Sequence, residues 1–88
     1  MAHEIVITTM VNERARLNYL PGMDEVVIQY LGMTHFTTPK RIKPVPEKHR
    51  IEFLSDNGRV ACVMTGIAET EAKRLQDWIA DVREVLTA

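Results

Sequence analysis

The C-terminal end of the chain constrains the fold more than any other segment. Between Thr70 and Leu86, the residues Ala72, Leu75, Ile79, Val82 and Leu86 recur at spacings of three and four, with Trp78 and Val85 beside them. That spacing places one apolar stripe along an α-helix. Lys73, Arg74, Gln76, Asp77, Asp81, Arg83 and Glu84 fill the opposite side, and no glycine or proline interrupts the run. Glu69 and Glu71 stand at its start, where the helix dipole favours negative charge, and Thr70 is a candidate N-cap. A helix with one apolar stripe must lay it on something, and the rest of the chain reads as strands.

The clearest strand pair precedes the helix. Arg50–Ser55 and Arg59–Thr65 flank Asp56-Asn57-Gly58. Asn-Gly is the preferred pair for a two-residue type I′ turn. With that turn, Phe53 faces Cys62, Ile51 faces Met64 and Ser55 faces Val60. Ile51, Phe53, Val60, Cys62 and Met64 then share a face expected to meet the helix, so Cys62 points inward. Glu52, Leu54, Ala61 and Val63 fall on the other, half-apolar face.

The N-terminal third alternates in the same way. His3–Val11 carries Ile5, Ile7, Thr9 and Val11 on one face, and Arg14–Leu20 carries Ala15, Leu17 and Tyr19. A three-residue loop at Asn12-Glu13-Arg14 would match the apolar faces, with Val11 opposite Ala15 and Ile7 opposite Tyr19. The competing reading makes residues 13–20 a short helix stopped by Pro21. Leu20-Pro21-Gly22-Met23 fits a type II turn, Asp24–Leu31 a strand, and Met33–Thr37 a short strand. Beyond Thr37, with Pro39, Pro44 and Pro46 at hand, an irregular loop is expected.

These elements add up to a single α+β domain over residues 1–88: an antiparallel β-meander of four to six strands with one long C-terminal α-helix packed on one face. A chain this short buries only about 60% of the surface its unfolded form exposes, so its core is small. One cysteine, Cys62, excludes an internal disulfide. Without a signal-like N-terminus or an apolar run of membrane-spanning length, the chain is expected to be cytoplasmic, with no membrane association.

Chemistry-bearing patterns are sparse. His3, His35 and His49 show no metal-ligand spacing, and the four glycines are isolated, so no phosphate-cradling loop is present. Met1-Ala2-His3 has the spacing of a copper(II) or nickel(II) nitrogen site. It is set aside because a small residue at position 2 favours removal of Met1. No catalytic residues, no metal and no cofactor are assigned, and an enzyme is not expected. Positive charge is concentrated in one place. Residues 33–50 carry Lys40, Arg41, Lys43, Lys48 and Arg50 against Glu47 alone, in a chain of net charge −1. With His49, these five basic residues form the candidate binding segment, suited to phosphates or an acidic protein surface. The same residues would also serve a solvated loop, or pair with Glu47 and Glu52.

By elimination, the expected function is a small non-catalytic interaction protein. It would bind another macromolecule, a protein first of all, and self-associate as a homodimer. The alternative is a nucleic-acid-binding module using the basic loop 40–50, followed by a small enzyme or enzyme subunit.

Overall fold

The computed structural model describes residues 3–87. Seven strands are seen among them: β1 (Glu4–Thr8), β2 (Arg14–Leu20), β3 (Glu25–Tyr30), β4 (Met33–Thr37), β5 (Ile42–Val45), β6 (Arg50–Leu54) and β7 (Val60–Thr65). Helix α1 (Glu69–Thr87) follows. The α+β architecture is the expected one. Strands β1-β2-β3-β4 form one antiparallel meander, and β5-β6-β7 form a second antiparallel sheet.

Local chemistry explains each turn. Residues 14–20 form a strand, not a helix. The first hairpin pairs Ile7 with Ala15 and Ile5 with Leu17. The expected register is off by four residues, an even slip that keeps Ile5, Ile7, Ala15, Leu17 and Tyr19 on their expected face, while Val11 falls in the loop and is exposed. The cause is the loop. Asn12 adopts a left-handed φ of 63°, and the Thr9 and Glu13 backbones bond at 2.8 Å, so the strands separate at Thr9 rather than Val11. Asparagine tolerates that conformation better than most residues. The β6–β7 turn follows the same plan. Gly58 alone is left-handed there (φ 81°), Gly58 N–H donates to Ser55 at 3.0 Å, and Ser55 N–H donates to Arg59 at 2.8 Å. This is a three-residue loop with a terminal left-handed glycine, not the expected type I′ turn. Phe53 still faces Cys62 and Ile51 still faces Met64, but Leu54 rather than Ser55 faces Val60, across a bulge. The Pro21-Gly22 turn closes with Met23 N–H on Leu20 at 3.1 Å. Asp24, not Gly22, is left-handed, so the turn is not type II.

The expected irregular loop is the largest correction. It folds into a 3-10 turn at Pro39–Arg41, strand β5, and a second 3-10 turn at Pro46–Lys48. Pro44 sits within β5 opposite Ile51. A proline is tolerated there because β5 is an edge strand whose outer side needs no donor.

The core lies between the sheets and the helix. Ile7, Ala15, Leu17, Tyr19 and Val26 from the first sheet meet Ile51 and Met64 from the second, together with Ala72, Leu75, Ile79 and Val82 of α1. The predicted stripe is therefore buried at Ala72, Leu75, Ile79 and Val82, while the side chains of Val85 and Leu86 lie outside the described residues. Trp78, read as flanking the stripe, joins the core. The helix starts at Glu69, so Thr70 lies inside its first turn. The hairpin face expected under the helix is divided. Ile51 and Met64 are buried and Phe53 partly so, while Val60 and Cys62 are exposed.

Candidate functional site

Four strand edges arise from two sheets, and the helix treats them unequally. It runs along β5 and both 3-10 turns and touches β1. At β1 the closure is chemical. The outward Thr8 N–H donates to Glu71 Oε2 at 3.0 Å, and Arg74 donates to the Val6 carbonyl at 3.2 Å. Arg74 also grips Glu71 Oε1 at 2.6 Å. These two side chains satisfy an acceptor and a donor that a further strand would otherwise take. Burial pushes the Glu71 carboxyl upward, but the Thr8 amide and the Arg74 guanidinium outweigh it and hold the group below its ordinary range.

Among the described residues, the other two edges, β4 and β7, have no strand on their outer sides. Neither carries a lysine, arginine, aspartate or glutamate: β4 reads Met-Thr-His-Phe-Thr and β7 reads Val-Ala-Cys-Val-Met-Thr. Residues 33–36 of β4 are all exposed, and on β7 only Met64 is buried. Natural sheets usually protect a free edge with charge, proline or a bulge. Here β7 has a bulged register and β4 has none of these devices.

A cleft of about 280 Å³ opens on this side. Its walls are Ile28 and Tyr30 of β3, residues 35–37 of β4, Phe53 and Leu54 of β6, and residues 61–64 of β7. Successive side chains of a strand point to opposite faces. Consecutive residues can line one cleft only where the strand shows it a backbone edge. The cleft is thus bordered by main chain, and its side chains are mostly apolar, with His35 and Thr37 the polar ones on β4. Tyr30 anchors one wall by donating its hydroxyl to Glu13 at 3.0 Å. Burial, then that hydrogen bond, raise its phenol above the usual tyrosine range and keep it protonated.

The predicted basic residues lie elsewhere and are divided by β5. Lys40 and Arg41 precede it, Lys43 is within it, and Lys48, His49 and Arg50 follow the second 3-10 turn. Arg41 pairs with Asp56 at 2.6 Å. Arg50 pairs at 2.5 Å with Glu52, which the strand pattern placed on the half-apolar second face and which is buried. His49 is held left-handed, and its carbonyl accepts Ile67 N–H at 3.0 Å. Lys40, Lys43 and Lys48 form no ion pair among the described residues.

The histidines do not converge. His3 stacks on Tyr19, His35 sits on β4 beside the cleft, and His49 caps the second 3-10 turn. No group of three or more potential metal ligands occurs among the described residues, and Met1 and Ala2 lie outside them. Cys62 shares the cleft with His35 and is exposed, which corrects its expected inward orientation. The half-apolar hairpin face read from the sequence supplies Leu54, Ala61 and Val63 of this cleft. The two free strand edges were not anticipated, although their signal was present as two strand segments without a charged residue. No protein-family model, curated protein or solved structure matches the chain.

Proposed function

We propose that this chain is a non-catalytic interaction protein that binds another protein on the open side of its two sheets and also associates with itself. One observation carries the reading. Two uncharged strand edges border an apolar cleft on the side the helix leaves uncovered, while β1 is closed by dedicated side-chain contacts. An edge of this kind accepts an extended segment by main-chain hydrogen bonds, and the apolar walls take alternate side chains of that segment. Phe36 and Val63, both exposed beside the cleft, supply contact area. The exposed thiol of Cys62 suits a reducing compartment, which is why a cytoplasmic setting belongs to the proposal.

Display selection with a library of short linear peptides tests the binding. Enriched peptides should alternate apolar and polar residues and avoid central proline. Their amide-shift footprint should fall on β4, β7 and the cleft. No enrichment, or a footprint confined to the helix, removes the reading.

Nucleic-acid binding by Lys40, Arg41, Lys43, Lys48, His49 and Arg50 has less support. Asp56 and Glu52 already engage Arg41 and Arg50, and no base-stacking platform accompanies the segment. Retention on heparin at low salt would favour it, and failure to bind would remove it.

A further inference from the structure

We infer that the occupant of the β4 edge is a second copy of this chain, paired antiparallel about a twofold axis through His35. The inference rests on the interaction reading above and names its self-association surface.

The argument begins at the turn between β3 and β4. Leu31 and Gly32 are both left-handed (φ 50° and 74°), a two-residue loop between Tyr30 and Met33. Such a loop closes on a hydrogen-bonded pair, and in an antiparallel ladder hydrogen-bonded and non-bonded pairs alternate. Tyr30–Met33, Ile28–His35 and Val26–Thr37 are therefore the bonded pairs. The N–H and C=O groups of Thr34 and Phe36 point outward, without a strand to meet them.

Those outward groups are self-complementary. Laid antiparallel on a copy of itself, β4 can set Thr34 opposite Phe36 of the copy, and Phe36 opposite Thr34. All outward groups of both strands are then used, and His35 meets its own counterpart on the axis. A heterologous arrangement would leave one edge free to propagate, whereas this one closes. Charge permits it, since β4 carries no acidic residue, lysine or arginine that would face its own copy. The edge β7 is the weaker candidate because its bulge breaks the regular ladder.

Area sets the size class of the contact. Leu31, Met33 and Phe36 are 62%, 58% and 66% exposed and flank the proposed contact. With the strand backbone, two copies would bury on the order of 700 Å², roughly half of what stable complexes bury. An area this small belongs to the weak, transient class of complexes, so the dimer is reversible.

Charge swapping at the axis tests it by sedimentation velocity. His35→Glu and His35→Lys each place like charges face to face and should raise the dissociation constant about tenfold or more. An equimolar mixture should restore dimerisation. Phe36→Pro removes an outward N–H that no strand within the chain uses and should also abolish the dimer, with circular dichroism confirming the fold. If the wild-type chain dimerises but these variants dimerise equally well, the β4 assignment is overturned and self-association by another face stands. A wild-type chain that is monomeric at high micromolar concentration overturns both. The peptide selection above reports separately on binding of other proteins.

Discussion

Glu71 is the residue by which the helix closes the first sheet, and removing it should cost far more than removing its neighbour on the same turn. It accepts the Thr8 N–H at 3.0 Å across the interface between α1 and β1, and an Arg74 N–H at 2.6 Å within the helix. Hydrogen bonds to a charged group contribute about 1.5–3 kcal/mol each, and part of that returns when water reaches the vacated Thr8 amide. Glu71→Ala should therefore destabilise the fold by about 2 kcal/mol. With a urea m-value of about 1 kcal/mol/M for a chain this size, the midpoint falls by roughly 2 M. Trp78, buried in the core, reports the transition by fluorescence.

Glu69→Gln is the control. Glu69 is also in the first turn but pairs only with exposed Lys73, four residues on, a contact worth about 0.3–0.5 kcal/mol. The pH dependence has a definite sign. The folded-state pKa of Glu71 lies below its unfolded value of about 4.3. Its contribution is thus present above that unfolded value and is lost as pH falls through the folded one. The gap between wild type and Glu71→Gln should narrow on acidification. If Glu71→Ala costs no more than Glu69→Gln, or if the gap does not change with pH, the closure described here is wrong.

Two further substitutions probe the frame. Leu31 is a left-handed, exposed leucine in a two-residue turn, so Leu31→Asn should stabilise by about 0.5–1 kcal/mol, read as a higher melting temperature. Ile7→Val, at a fully buried position, should cost about 1 kcal/mol, whereas Val63→Ala on the open edge should stay within about 0.5 kcal/mol of wild type; urea melts of both decide it.

What the sequence made legible follows from the range of the forces involved. The helical stripe and the alternation of Ala15, Leu17 and Tyr19 are local periodicities, and they survive into the structure. The first hairpin's register was not legible, because a four-residue slip preserves both faces and only the left-handed Asn12 selects between the alternatives. Strand β5 was hidden by Pro44. Proline lowers strand propensity locally, yet an edge position removes the penalty, and which strand becomes an edge is decided only by assembly. The Arg50–Glu52 pair was legible in the sequence, but the burial of Glu52 was not, since it depends on what covers that face. The candidate cleft is the extreme case. It exists because α1 covers β1 and β5 and not β4 and β7, a choice made by long-range packing. The basic segment, prominent in one dimension, is parted in three by the strand that runs through it.

The central claim is that β4 presents a free, self-complementary edge. Residue-resolved amide hydrogen exchange tests it most directly. In dilute solution, the Thr34 and Phe36 amides should exchange quickly while those of Met33, His35 and Thr37 are protected, and the Thr8 amide should be slow because Glu71 holds it. As concentration rises, Thr34 and Phe36 should become protected together. Protection of these two amides that is independent of concentration, or its absence at every concentration, would contradict the account.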